Sequence, residues 1–194
     1  LQIIIDETIR CRKIIQGLLE FSKGREPTKA PTDINENIVK ALNILENEFH
    51  LKRIELRSNL APELPDIMAD GSQMEQVFVN LLLNAVQAAP EGGAVTIRSS
   101  LSEVDRCLTV EVADNGPGIS RKEQSKIFEP FFSTKPNGTG LGLSVTYGIV
   151  RNHQGNVSVQ SRPGEGTRFI VKIPVKHNGS KEMHGTVERA QVQQ

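Results

Sequence analysis

Tryptophan is absent, tyrosine occurs once, and aromatic residues make up 4% of the 194 positions. A surface that stacks nucleic-acid bases on aromatic rings is therefore not expected. Net charge is missing as well: 23 acidic residues balance 23 basic ones. No global field draws the chain to a polyanion or to a membrane surface. The two cysteines, Cys11 and Cys107, are far apart and lack metal-ligand spacing. A reduced, cytosolic compartment fits best. No apolar run reaches the ~20 residues of a membrane span. There is no signal peptide and no initial Met, so the expectation is a piece of a longer protein whose anchoring stays open. Internal repeats are lacking. The length suits one good core plus an appendage.

What is present is a run of alternating glycines, Gly138-Thr139-Gly140-Leu141-Gly142-Leu143, leading into an apolar, helix-compatible stretch. Such glycines let a backbone come close to a ligand with its N–H groups exposed. A helix starting there adds unpaired N–H groups and the positive end of its dipole, which together form a phosphate seat. A plain glycine turn is the competing reading. No Lys-Ser or Lys-Thr follows the last glycine, so this is not a Walker A loop, and the dinucleotide fingerprint lacks its third glycine.

The hydrophobic pattern predicts the surrounding elements. Residues 1–24 read as a helix with an isoleucine- and leucine-rich stripe, which needs partner helices to cover it. Residues 27–32 read as a Pro-bearing linker. Asp33 to Glu36 has the form of a capping box and opens a helix to about Phe49. Ile54–Leu60 reads as a strand and 64–69 as a short extended piece. Asp70 or Ser72 caps a helix to Ala89 that is apolar around most of its girth. Strands are expected at Val95–Leu101 and Cys107–Val112, a helix at Leu141–His153, and a hairpin from Asn156–Ser161 and Thr167–Pro174. Residues 177–194 are polar and aperiodic, the composition of a disordered tail.

Several side chains stand out against this frame. Asn80 and Asn84 share one face of an otherwise apolar helix. Buried amides need partners, so they are the polar floor of a pocket, ligands for a hard cation, or donors to a neighbouring loop. Asp114, at the end of a strand and followed by Gly116 and Gly118, can reach an amino group while the backbone comes close; a simple turn is the alternative. Phe128, Phe131 and Phe132 would be costly if exposed, so they are expected to clamp a loop to the domain. Lys135 either meets a terminal phosphate or is a solvated loop lysine.

In order, Asn80 to Ala85, Asp114 to Ile119, Phe128 to Lys135 and Gly138 to Leu143 resemble the N, G1, F and G2 boxes of bacterial two-component sensor histidine kinases. Gly164 to Thr167 resembles a further glycine box. The likeness covers about 33–175, and Asn84 to Gly93 resembles the nitrogen-regulation and oxygen-sensing branch. It implies an α/β (α+β) two-layer sandwich, a mixed sheet packed on helices, shared with gyrase, the ninety-kilodalton heat-shock chaperone and mismatch-repair ATPases. It implies ATP and Mg²⁺ as cofactors. Asp114 would accept from the adenine amino group, with Gly116, Gly118, Ile119 and Thr167 nearby. Asn84, with Asn80, would hold Mg²⁺. Asn80 and Lys135 would serve the transfer step. The loop 128–137 would be a lid, and Gly138, Thr139, Gly140, Leu141, Gly142 and Leu143 would face the phosphates.

Residues 1–26 resemble the second helix of the family's dimerisation domain, which implies a homodimer through a helical bundle and relay to a response regulator receiver domain. The acceptor box of that family is a histidine followed by an acidic residue. None of His50, His153, His177 or His184 is followed by one. The acceptor is thus expected outside this sequence. ATP hydrolases and protein serine kinases of the same fold are the alternative. They usually carry Glu where this chain has Asn80, and an amide cannot titrate to act as a base.

Overall fold

A computed structural model of the chain describes residues 27–102, 104–135 and 138–175. The expected helix over 1–24, the expected tail over 177–194, and positions 136 and 137 of the expected lid lie outside the described residues.

The chain enters through a short strand, β1 (Ala30–Thr32), which pairs antiparallel with β3 (Ile67–Ala69). Half of the segment read as a linker is thus part of the fold: Thr32 is buried and its hydroxyl bonds the Ala69 carbonyl at 2.9 Å. Two helices, α1 (Ile34–Ile44) and α2 (Glu46–Leu51), replace the single expected one. The break is Leu45, at φ −99° and ψ 6°. Asp33 caps α1 by accepting from Asn35 and Glu36 N–H at 2.7 and 3.2 Å. The reciprocal half of the expected capping box is not made, because Glu36 pairs instead with Lys40 at 2.9 Å, one turn on.

The long helix α3 (Gly71–Ala88) is capped by Asp70, not Ser72. Met74, Val77, Phe78, Leu81, Leu82, Ala85 and Val86 are buried along it. They form the core with Val95 and Ile97 of β4 (Ala94–Ser102) and Leu108, Val110 and Val112 of β5 (Cys107–Asp114). Phe169, Val171 and Ile173 of β7 (Gly166–Pro174) complete it. Truncating Phe78 to Ala would remove about 3–5 kcal/mol of stability.

Those strands belong to a five-stranded sheet of order β2-β4-β5-β7-β6, with β2 at Glu55–Asn59 and β6 at Asn156–Arg162. The pair β2–β4 is parallel and the rest are antiparallel, so the sheet is mixed. Every residue of β2 is exposed, and its Arg57–Glu55 ion pair blunts the edge. One face of the sheet carries α1, α3 and α5 (Gly142–Asn152), which makes the two-layer α/β sandwich that the resemblance implies.

Candidate functional site

The sequence-derived residues converge where the C-terminal half of α3 meets the end of β5 and the start of α5. Asn80 and Asn84 are both half-buried on α3. The Asn80 amide nitrogen donates to the Gly142 carbonyl at 3.2 Å and lies 3.5 Å from the Thr146 hydroxyl. The bond runs to the first turn of α5 and not to a loop, and it uses the donor side of the group, not its oxygen. The Asn84 oxygen accepts from the Lys135 ammonium at 3.2 Å. Lys135 also donates to Gln87 Oε1 at 2.7 Å.

Asp114 ends β5 opposite Thr167 of β7. Its carboxylate accepts from the Gly116 N–H at 2.8 Å. Burial pushes the Asp114 carboxyl above the ordinary carboxylate range, opposed by the Gly116 and Thr167 backbone donors and by the Lys135 charge. Burial also lowers the Lys135 ammonium, helped by the nearby Lys52 charge and opposed by Asp114. The two groups therefore lie within electrostatic reach of each other, each held against its preference for solvation.

The loop after Asp114 is pressed onto the β6–β7 turn. Gly118 has φ +74°, and a β-carbon there would collide with the Arg162 carbonyl oxygen, so both the conformation and the fit require glycine. The Ile119 N–H donates to the Ser161 hydroxyl at 2.8 Å, and that hydroxyl lies 3.0 Å from the Thr167 hydroxyl. Gln124 closes the loop from α4 (Arg121–Gln124) by donating to the carbonyls of Ile119 and Ser161 at 2.7 and 3.0 Å.

The segment between the glycine loops is anchored by two of its three phenylalanines. Phe128 lies 5.7 Å from the Tyr147 ring and 6.5 Å from Phe169, and Phe132 packs on the core. Phe131 corrects the expectation of a threefold clamp: it is 60% exposed, at φ +66°. Its backbone N–H donates to the Gly140 carbonyl at 3.0 Å. Gly140 itself has φ +68°, and a β-carbon there would strike the Phe131 backbone. Gly138 and Thr139 follow Lys135 in the same loop, and the Thr139 hydroxyl accepts from Leu141 N–H at 3.4 Å.

The start of α5, like that of α2 behind Leu45, has no side-chain cap, unlike the other three. Asp33, Asp70 and Ser120 cap α1, α3 and α4 with side-chain oxygens. At α5 the N-cap is Leu141, which has no side chain to accept from the first-turn N–H groups. Those donors open at Gly142 and Leu143, on the turn that Asn80 holds.

Two residues at this site escaped the sequence reading. Gln87 lies one turn beyond Asn84, and its spacing from Asn80 and Asn84 was a signal open to use. Lys52 gave none: it arrives from the end of α2 and donates to the Val86 and Gln87 carbonyls at 2.8 and 2.9 Å, capping α3 with a positive charge.

The chain matches the family described as histidine kinase-, DNA gyrase B-, and HSP90-like ATPase over residues 69–177. It is 36% identical over 182 residues to the signal transduction histidine-protein kinase AtoS of Escherichia coli (strain K12), covering 93% of this chain and 30% of that protein. The chain spans about a third of the length of the curated relatives it matches. The catalytic domain of the histidine kinase ThkA superposes with a TM-score of 0.69 at 33% identity, covering 75% of this chain and 95% of that domain. ThkA in complex with the response regulator protein TrrA gives 0.76 at 31% identity, over 90% of this chain and 50% of that one. Full-length ShkA in complex with AMPPNP gives 0.75 at 29% identity, over 84% and 35%.

Proposed function

Because the chain belongs to the family of histidine kinase-, DNA gyrase B- and HSP90-like ATPases, we propose that it is the ATP-binding catalytic core of a sensor histidine kinase. It transfers the γ-phosphoryl group to a histidine on a dimerisation helix outside this sequence, for relay to a receiver-domain aspartate. The observation that carries this reading is the uncapped start of α5 held by Asn80, with Asn84 one turn further along α3 gripping Lys135, whose charge reaches the half-buried carboxylate of Asp114.

Each group has a distinct task. Asp114 is a charged acceptor for an adenine amino N–H, aimed by the Gly116 and Thr167 backbones. Gly116, Gly118 and Ile119 bring the chain close to the base. The first-turn N–H groups of α5, with Gly138 to Leu143, receive the phosphates. Lys135 supplies a point charge for the terminal phosphate. Asn80 holds the start of α5 and does not titrate, so it cannot deprotonate water or a hydroxyl. An imidazole attacks through its lone pair and has no such need, which favours histidine as acceptor over hydrolysis.

Magnesium fits the donor set. Among the described residues no cluster of His, Cys, Asp or Glu could hold a metal ion, so amide and phosphate oxygens would ligate it. The Asn84 oxygen already takes a cation, the Lys135 ammonium. When bound, the metal neutralises charge on the transferring phosphate.

The partners proposed are a response regulator receiver domain and a second copy of the chain joined through the helical bundle. The proposed site of action is cytoplasmic, and no helix among the described residues is long and apolar enough to cross a membrane. Titration calorimetry of the chain with Mg-ATP tests the reading. Saturable binding at one site per chain is expected, and no saturable heat overturns it.

A further inference from the structure

Lys135, from the segment between the two glycine loops, contacts the polar face of α3. Its ammonium is gripped by two amide oxygens one turn apart, Gln87 Oε1 at 2.7 Å and Asn84 Oδ1 at 3.2 Å. Positions 84 and 87 share a helix face, so the two acceptors converge on one point. Amide oxygens of this kind suit an ammonium and a hard metal ion alike.

The rest of the segment is fixed elsewhere. Ile127, Phe128 and Phe132 pack on the core, and Phe131 is tied to Gly140. At the end of the segment, the Ser133 hydroxyl accepts from Lys135 N–H at 3.1 Å and donates to the Lys135 carbonyl at 3.2 Å, which sets the lysine's backbone. The reach from this turn to α3 is made by the Lys135 side chain.

The grip is opposed locally. The Lys52 ammonium holds the backbone carbonyls of Val86 and Gln87, so a second positive charge stands beside the seat. A lysine held by neutral amides next to a like charge can be displaced, and a divalent cation arriving with phosphates outcompetes a single ammonium for the same oxygens.

We propose that Asn84 and Gln87 form a cation seat that the protein's own Lys135 fills when no nucleotide is bound. The seat latches the 127–135 segment to α3 and releases it when the nucleotide's metal takes Asn84. Gln87 is then a positioning residue for the segment, acting through Lys135. The exchange rests on the reading that Asn84 holds the nucleotide's cation; the latch itself is a property of the chain without nucleotide.

The experiment is backbone hydrogen exchange of residues 128–135, with acylation of the Lys135 amine followed by mass spectrometry, on the chain without nucleotide. Gln87→Leu keeps the helix and removes the nearer oxygen. It should speed exchange of the segment and acylation of Lys135 by about three- to tenfold, the range for losing one charge-assisted hydrogen bond near the surface. Gln87→Glu restores an acceptor and should return both rates to the wild-type value or below. Rates in Gln87→Leu equal to wild type overturn the latch, as does failure of Gln87→Glu to restore them. A chain that shows the latch but binds no Mg-ATP in the calorimeter overturns the proposed function and leaves the latch standing; one that binds Mg-ATP with unchanged Gln87→Leu rates does the reverse.

Discussion

At the start of α3, one Asp70 carboxylate oxygen caps the helix and the other accepts from the Thr28 N–H at 3.1 Å. The Asp70 N–H donates to Nε2 of buried His153 at 3.0 Å, and the other ring nitrogen of His153 lies 2.8 Å from the Ile149 carbonyl. With one ring nitrogen accepting and the other donating, His153 is the neutral Nδ1–H tautomer. Among the described residues, only Gln73 Oε1 is a buried side-chain polar atom without a partner. At the far end of the same helix, Asp114 and Lys135 are half-buried charges shifted in the directions that burial dictates. One end gives its polar groups, the Asp70 carboxylate among them, backbone and ring partners; the other holds ions whose burial opposes their charge. Groups kept in that condition cost stability, which fits the nucleotide-binding role proposed for them.

The sharpest break between the two ends is expected from Asp114→Asn. Nucleotide affinity should fall by about 10- to 100-fold, as an acceptor loses its charge (about 1.5–3 kcal/mol). The thermal midpoint should hold or rise, because the amide oxygen still accepts from Gly116 while the buried charge is gone. Calorimetry and a melt on the same sample check both, and a joint loss of affinity and stability would make Asp114 another paired structural group.

His153→Ala should do the opposite. It leaves the Asp70 N–H without its acceptor and removes a buried ring, costing about 1–3 kcal/mol in chemical denaturation. Nucleotide affinity should be unchanged. A loss of affinity with stability preserved would erase the contrast.

The smallest effect is on pH dependence. Burial lowers the His153 pKa, aided by Lys29 and opposed by the Ile149 carbonyl and Asp70. The unfolded chain then takes up the proton first. The His153 contribution is full above its ordinary value of 6.5 and is lost as pH falls through the lowered value. Asp114 has the opposite sign: its raised pKa favours folding most below 3.8, and that contribution is lost as pH rises through the raised value. Denaturation midpoints from pH 7.5 to 4 should give wild-type-minus-variant curves of opposite slope for His153→Ala and Asp114→Asn. Parallel curves would contradict these assignments.

The layered fold was legible because its signals are local and repeated. The apolar girth of α3, the alternation in β4, β5 and β7, and the Asp70 cap all depend on neighbours in sequence. The site was legible where one residue type had few uses, as with two asparagines on an apolar face or an aspartate leaving a strand into glycines. Contacts across long separations were not. Lys52 reaches α3 over 35 positions of chain, and Lys135 finds Gln87 over 48. His153 read only as a failed acceptor, since nothing near it in sequence marks Asp70 as its partner. Ser120 and Glu123 form a complete capping box that the Gly- and Pro-rich surroundings obscured.

The bonds between α3 and α5 form two pins. Asn80 fastens the start of α5 through Gly142 and Thr146, and His153 just past its end is fastened by Asp70. The helices therefore run antiparallel, with the pins about ten residues apart, or ~15 Å along the axes. A beam held at two points turns only as a whole. The incoming chain is tied beside the second pin, with Thr28 on Asp70 and the Lys29 ammonium on the Asn152 carbonyl at 2.7 Å. The incoming chain is thus anchored on both helices at one end of the pair, opposite the end where Asn80 holds Gly142.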